Sequence, residues 1–494
     1  MTSVHLIDAA NPTASDVVII ATVSTDSGVA RVAGSQLLDP SLDAVLDQAL
    51  RALDASGKAE QICRIPTLGH GPVGLVVAVG LGRGSADRPA PAAVRRAVGA
   101  ALRSIDSASR VTIAIGDGTD PELVGAICDG ALLGSYRFTR YKSASSPAAL
   151  KRINIAVTDP SDRAAKAAIR RSQVISTAIN NTRDLVNTPA NDLNPVTFAD
   201  YAKLQGEAAG LTVEVMDERA LRRGSYGGIL AVGSGSATPP RMVRLSYRPT
   251  RARGSVALVG KGITFDTGGL DIKTSMMAVM KSDMGGAAAV VEAVIAAAKL
   301  KLPVAVTATV PMAENAVSGT SFRPSDVLTL HDGRTVEVDN TDAEGRLILA
   351  DAMLRACEDG PDYLIETSTL TGGQLVALGE HTAAAMGSED FRDRVVAAGA
   401  RVGESLWPMP LTDDLRPRLN STIADITNLP KERWGSMLVA GSFLAEFVAE
   451  GVQWVHLDIA GPSFAGSASG YTPTGGTGFI VATIVSMLSE LAAS

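Results

Sequence analysis

Short β-branched apolar runs alternate with segments of helical periodicity along the whole chain, and this alternation restricts the fold more than any other feature. Residues 17–23, 73–79, 111–115 and 153–157 read as strands, and 42–53, 93–105 and 121–133 as helices. A long polar-faced helix is expected over 161–185, ahead of the turn-rich run Asn187-Thr188-Pro189-Ala190-Asn191. Farther on, 255–259, 304–310, 363–366 and 454–459 read as buried strands, with helices over 285–299 and 345–356. Such an order implies largely parallel strands with helices on the sheet faces. The chain has 494 residues, too many for one ordinary core. The expected architecture is therefore α/β in two domains. A smaller N-terminal α/β domain would cover 1–165 and a linker helix 166–186. A larger C-terminal α/β domain with a mixed central sheet would cover 187–494.

Three short segments concentrate charge where an α/β core has little room for it. The first, residues 260–269, reads GKGITFDTGG and follows the apolar strand 255–259 directly. It places Lys261 and Asp266 where open α/β sheets hold ligands, at the carboxyl end of a strand. The second, 281–286, carries Asp283 just before a helix, and the third, 340–347, carries Asp342, Glu344 and Arg346 just before another. Taken singly, Asp283 or Asp342 is as readily a helix N-cap. Taken together, four carboxylates in one pocket would repel one another strongly, and divalent metals compensate that repulsion better than lysines do. A carboxylate-rich site without histidine can hold two ions about 3.5–4 Å apart. Such oxygen ligands suit manganese or magnesium and can also take zinc.

Several other chemistries are not supported. A formal net charge of -7 argues against a large nucleic-acid footprint. Cys63, Cys128 and Cys357 are far apart and form no CxxC pair, so neither a disulfide framework nor a thiolate zinc site is expected. His5, His70, His331, His381 and His456 lack metal-ligand spacing, and His456, in an apolar run, reads as a hydrogen-bonded core residue. Residues 80–84, GLGRG, lack a full phosphate-loop pattern and read as an ordinary strand-to-helix turn. Ser368 has no nucleophile-elbow context. Residues 1–11 carry no secretory pattern and no apolar run is long enough to span a bilayer, so a cytoplasmic protein is expected.

The octapeptide 340–347, NTDAEGRL, resembles the signature of the leucyl aminopeptidase family, the cytosol-type two-metal aminopeptidases. The segments around Lys261, Lys273 and Asp283 are similar as well, as are 184–192 (DLVNTPAND), 369–372 and 454–461. The likeness runs from about residue 182 to the C-terminus. It implies metal-dependent release of N-terminal residues from peptides. Asp266 and Glu344 would bridge two metals (Mn²⁺ or Zn²⁺), Lys261 and Asp283 would complete the tighter site, and Asp342 the more exchangeable one. Lys273 would polarise the scissile carbonyl, and Arg346 would hold a bicarbonate ion acting as general base. Met280, Thr369, Gly372 and Ala460 would line the pocket for the first side chain, which favours Leu and other apolar residues. The family likeness further implies a homohexamer. Between Lys273 and Asp283 the chain runs one residue shorter than the family pattern, and 431–437 also departs from it. The alternative reading is a DNA-binding or regulatory protein on the same scaffold, using Arg95, Arg96, Arg103 and Arg110.

Overall fold

The computed structural model describes residues 2–8, 15–34, 40–70, 73–116, 118, 120–143 and 150–493. The stretch 1–11, read above for a secretory signal, lies partly outside them. By its contacts the chain forms two compact units, one of residues 1–177 with 467–474 and one of 178–466 with 475–494. The division falls inside the long helix Arg163–Asn187.

The first unit is built on a seven-stranded sheet. Its strand Val17–Thr25 lies between Arg110–Ala114 and Leu75–Arg83, parallel to both. Successive residues on such a strand point to opposite faces. Accordingly Ile19 packs with Val77, Val98 and Ile127, while Ile20 packs with Val76, Leu42 and Leu46. Helices Pro91–Arg103 and Pro121–Gly134 thus cover one face and Pro40–Ala52 the other. The run 80–84 corrects the expectation of a strand-to-helix turn, because Gly80 to Arg83 continue the strand Leu75–Arg83. The strand is prolonged by backbone pairing with a neighbouring segment, Glu60 N–H to Gly80 O at 2.8 Å and Gly82 N–H to Gly57 O at 2.9 Å.

Three of the arginines weighed for a nucleic-acid surface make contacts within this unit. Arg95 lies 3.4 Å from the Asp129 carboxylate. Arg96 pairs with Glu60. The Arg103 Nε donates to the Gly470 carbonyl at 2.7 Å.

The second unit carries a nine-stranded mixed sheet. Ser255–Gly260 is central, parallel to Ala305–Asn315 on one side and to Tyr363–Ser368 on the other. Gln453–Asp458 continues the parallel set. Toward one edge Arg241–Tyr247 runs antiparallel to Ala305–Asn315 and Thr212–Met216 runs antiparallel to it in turn, and toward the other edge Thr382–Gly387 runs antiparallel to Gln453–Asp458. The helix Gly285–Lys299 is apolar on all sides (GGAAAVVEAVIAAAK) and is buried over nearly its whole length against the central strands. Helices Gly345–Cys357 and Ser436–Ala445 share a core with Ala257, Val259, Leu364 and Trp454 of the sheet. His456 is the buried core residue expected, with its Nδ1 bonded to Glu366 on the neighbouring strand. Burial pushes its imidazole down, but Glu366 outweighs this and the net displacement is upward. The three cysteines are free. Among the described residues no helix is long and apolar enough to cross a membrane.

Candidate metal centre

Five parallel strands of the second unit deliver polar residues at their carboxyl ends. Ser255–Gly260 runs into Lys261, and the short strand Gly262–Asp266 ends on its acid. Ala305–Asn315 ends on Asn315, Tyr363–Ser368 leads to Thr369, and Gln453–Asp458 ends on Asp458. This is the edge at which open α/β sheets bind ligands. Asp283 arrives from the turn before Gly285–Lys299, and Asp342 and Glu344 from the turn before Gly345–Cys357. Neither Asp283 nor Asp342 caps its helix: the N-cap positions are Met284 and Glu344, without side-chain cap bonds.

The expected charged residues come together in one cluster. The Lys261 ammonium lies 2.8 Å from Asp283 Oδ2 and 2.9 Å from Glu344 Oε1. Lys273 Nζ lies 2.8 Å from Asp266 Oδ2 and 2.5 Å from Asp342 Oδ1. Oxygen atoms of Asp266, Asp342 and Glu344 all fall within 4.8 Å of one another. Lys261, Asp266, Asp283, Glu344 and Arg346 are buried, whereas the Asp342 side chain is 35% exposed, so the cluster opens to solvent on its side. Lys261 fits only because residue 345 is glycine: a Cβ there would stand 2.4 Å from Lys261 Cε.

Residues that sequence reading passed over hold the cluster in shape. Asn315 Nδ2 donates to Asp266 Oδ1 at 2.9 Å, and the Gly268 N–H donates to the same oxygen at 2.8 Å. The Asp271 carboxylate accepts from the Thr341 N–H at 2.8 Å, and the Thr341 hydroxyl donates to Gly268 O at 2.7 Å. These bonds lock the Lys273 loop to the Asp342 turn. Asn428 accepts from Arg346 through its backbone carbonyl at 2.7 Å, and its side-chain amide donates to Asn340 O at 2.8 Å. Thr369 faces the cluster twice. Its carbonyl accepts from Lys261 Nζ at 3.1 Å, and its hydroxyl donates to Asp283 Oδ1 at 2.7 Å. Met280 lies in the 3₁₀ turn ahead of Asp283 and accepts the Asp283 N–H at 3.2 Å. Gly372 is exposed at the start of the helix Gly372–Leu378, and Ala460 is half-buried beyond Asp458.

Four carboxyl groups here face two ammonium groups in a largely dry site. Burial, together with Asp266, Asp283 and Asp342, pushes the Glu344 carboxyl up to about 8. Burial raises Asp283 to about 6 against the pull of Lys261. Burial and Asp266 raise Asp342. Desolvation alone would lower both lysines, but the surrounding carboxylates outweigh it and hold each ammonium above its ordinary range. Glu344 Oε2 is buried and has no hydrogen-bond partner. An orphaned buried carboxylate oxygen beside two further acids is the donor chemistry a divalent cation satisfies. Arg346 Nε is likewise buried without a partner, in the electrostatic field of Glu344. A planar guanidinium with a free N–H suits a small planar oxyanion. Burial lowers Arg346 to about 10, opposed by Glu344 and Asp458, which leaves it cationic at neutral pH.

Comparison with known proteins agrees with this geometry. Residues 180–485 match the catalytic domain of the cytosol aminopeptidase family, and residues 19–145 match its N-terminal domain. A probable cytosol aminopeptidase of Rhodococcus jostii is 50% identical over 489 residues, covering 97% of this chain and 95% of that protein. One from Mycobacterium tuberculosis (strain ATCC 25618 / H37Rv) is 49% identical over 496 residues, covering 96% and 94%. Among solved structures, a tomato leucine aminopeptidase mutant superposes with a TM-score of 0.87 at 30% identity, covering 99% of this chain and 97% of that one. The bottromycin maturation enzyme BotP in complex with Mn superposes with a TM-score of 0.84 at 36% identity, covering 97% and 99%. With both of its domains matched and relatives half identical over nearly the full length, the chain belongs to the cytosol aminopeptidase family.

Proposed function

We propose that this metal-dependent aminopeptidase removes apolar first residues, Leu foremost, from peptides at a centre for two divalent ions, Mn²⁺ or Zn²⁺. The observation that carries the reading is the buried, unpartnered Glu344 Oε2 within a cluster of carboxylates too crowded for its two lysines to neutralise. Asp266 and Glu344 are central and would be shared by both ions. Lys261, as the neutral amine left once a neighbouring dication drives off its proton, and Asp283 would serve one of them, and Asp342 the other. Bound metals supply Lewis-acid polarisation and make water a competent nucleophile at neutral pH.

The chain's own groups do the rest. Lys273 stays protonated beside Asp266 and Asp342 and donates to the oxygen on which negative charge develops. Arg346, steadied by Asn428, would hold bicarbonate next to the attacking water, with the bicarbonate accepting its proton. Met280, Thr369, Gly372 and Ala460 would wall the first-residue pocket, where an acidic side chain finds no partner. We further assign a cytoplasmic location and a homohexameric assembly, on family likeness.

Purified protein is expected to hydrolyse leucine p-nitroanilide, to lose at least about 100-fold in rate with a chelator, and to recover with Mn²⁺. The aspartyl analogue is expected to be at least about 100-fold poorer in kcat/KM, because its carboxylate would be buried unpaired. Chelator-insensitive hydrolysis would remove the metal centre from the mechanism, and equal rates on the two substrates would remove the apolar pocket.

A further inference from the structure

Asp458 ends its strand with a fully buried carboxylate that lies between two loops. Its Oδ1 accepts from the Leu370 N–H at 3.1 Å and from the Ala460 N–H at 3.2 Å. Its Oδ2 accepts from the Thr371 hydroxyl at 2.7 Å. Gln374, equally buried, makes a second tie. Its Oε1 accepts from the Gly461 N–H at 2.6 Å, and its Nε2 donates to the carbonyls of Thr382 at 2.7 Å and Gly379 at 3.3 Å. The strand ladder itself stops here, at the pairing of Ser368 with Asp458 and the bond from Ile459 N–H to Ser368 O at 2.8 Å. Past that point these two side chains join the 369–372 segment to the 460–461 segment.

We propose that Asp458 and Gln374 form a specificity-determining clamp, positioning residues that fix the spacing of the two loops and so set the width of the pocket for the substrate's first side chain. The inference rests on the reading that Thr369, Gly372 and Ala460 line that pocket. Three observations carry it. First, one wall is already fixed to the charged cluster, since Thr369 bonds both Lys261 and Asp283. The other wall takes its position from the first through Asp458 and Gln374. Second, the buried Asp458 carboxyl takes bonds from both walls, from Leu370 and Thr371 on one and Ala460 on the other, so separating the walls would leave buried polar atoms unpaired. Third, the seam is tight. A Cβ on residue 461 would meet Gly379 O at 2.4 Å and Gln374 Oε1 at 3.0 Å, so the loops cannot slide closer. A clamp of this kind governs which side chain fits, because discrimination between apolar side chains depends on small differences in pocket fill.

The test measures kcat and KM of wild type, Asp458→Asn and Gln374→Ala with leucyl, alanyl and phenylalanyl p-nitroanilides, alongside bound metal and Tm. In each variant the leucyl-to-alanyl ratio of kcat/KM is expected to fall about tenfold, chiefly through KM for the leucyl substrate, with wild-type metal content. Gln374→Glu, which keeps the acceptor for Gly461, is expected to restore the ratio in part. Uniform loss on all three substrates with unchanged ratios would overturn the clamp and leave only a scaffold role. Should Asp458→Asn fail to fold, Gln374→Ala and Gln374→Glu decide the matter, since Gln374 is neutral. A wild type that does not discriminate among the three substrates would refute the pocket assignment itself, and the clamp with it.

Discussion

Glu344→Ala is expected to lower kcat/KM for a leucyl substrate by about 10³ or more, the rate equivalent of the several kcal/mol that Lewis-acid stabilisation contributes. Glu344 is buried, lies among Asp266, Asp283 and Asp342, and takes no hydrogen bond at Oε2. Its loss would remove a shared donor from both proposed ions, so bound metal is expected to fall with the rate. The fold is expected to survive. Four carboxyls crowd two ammonium groups here, and deleting one acid relieves repulsion, although it leaves Lys261 with Asp283 as its remaining close anionic partner. Steady-state kinetics together with metal analysis and a denaturation midpoint check all three statements. A variant with full activity would sink the assignment of Glu344.

Lys273→Ala is expected to act differently. It should reduce kcat by about 10²–10³, the usual effect of deleting one oxyanion donor, while KM changes little. The ammonium sits between Asp266 and Asp342 at the more open side of the cluster, with its side chain 18% exposed. Removing it takes a cation away from two carboxylates, so metal affinity is expected to hold or rise. A parallel loss of metal and rate would instead make Lys273 part of the metal cradle. Lys273→Arg is expected to rescue poorly, because a planar guanidinium does not replace a compact ammonium on a flexible stem.

Much of this centre was legible in the sequence for a physical reason. A buried strand such as Ser255–Gly260 cannot tolerate charge, so Lys261 and Asp266 directly after it announce an edge with a purpose. The turns at Asp283 and at Asp342 to Arg346 gave the same signal, and the structure brings them to one edge. The supporting residues gave none. Asn315, Asn428, Asp458 and Gln374 lie outside the Gly-flanked charged turns, and their roles come from partners tens of positions away. The parallel strands were readable because they are continuous β-branched apolar runs. Thr382–Gly387, an alanine-rich strand, was not, because alanine has no strand preference and this strand depends on its neighbours. Thr212–Met216 was missed for another reason: three of its five residues are exposed, which masks its membership of the sheet. Residues 80–84 misled because glycines that mark a turn elsewhere here continue a strand.

A two-metal centre is tested most directly by counting metal ions per chain while following leucine p-nitroanilide hydrolysis during titration of chelator-treated protein with Mn²⁺. The rate is expected to rise with metal and level off at about two ions per chain, with Glu344→Ala reaching neither the stoichiometry nor the rate. Full activity with one ion or none, in a folded protein, would contradict the two-metal centre.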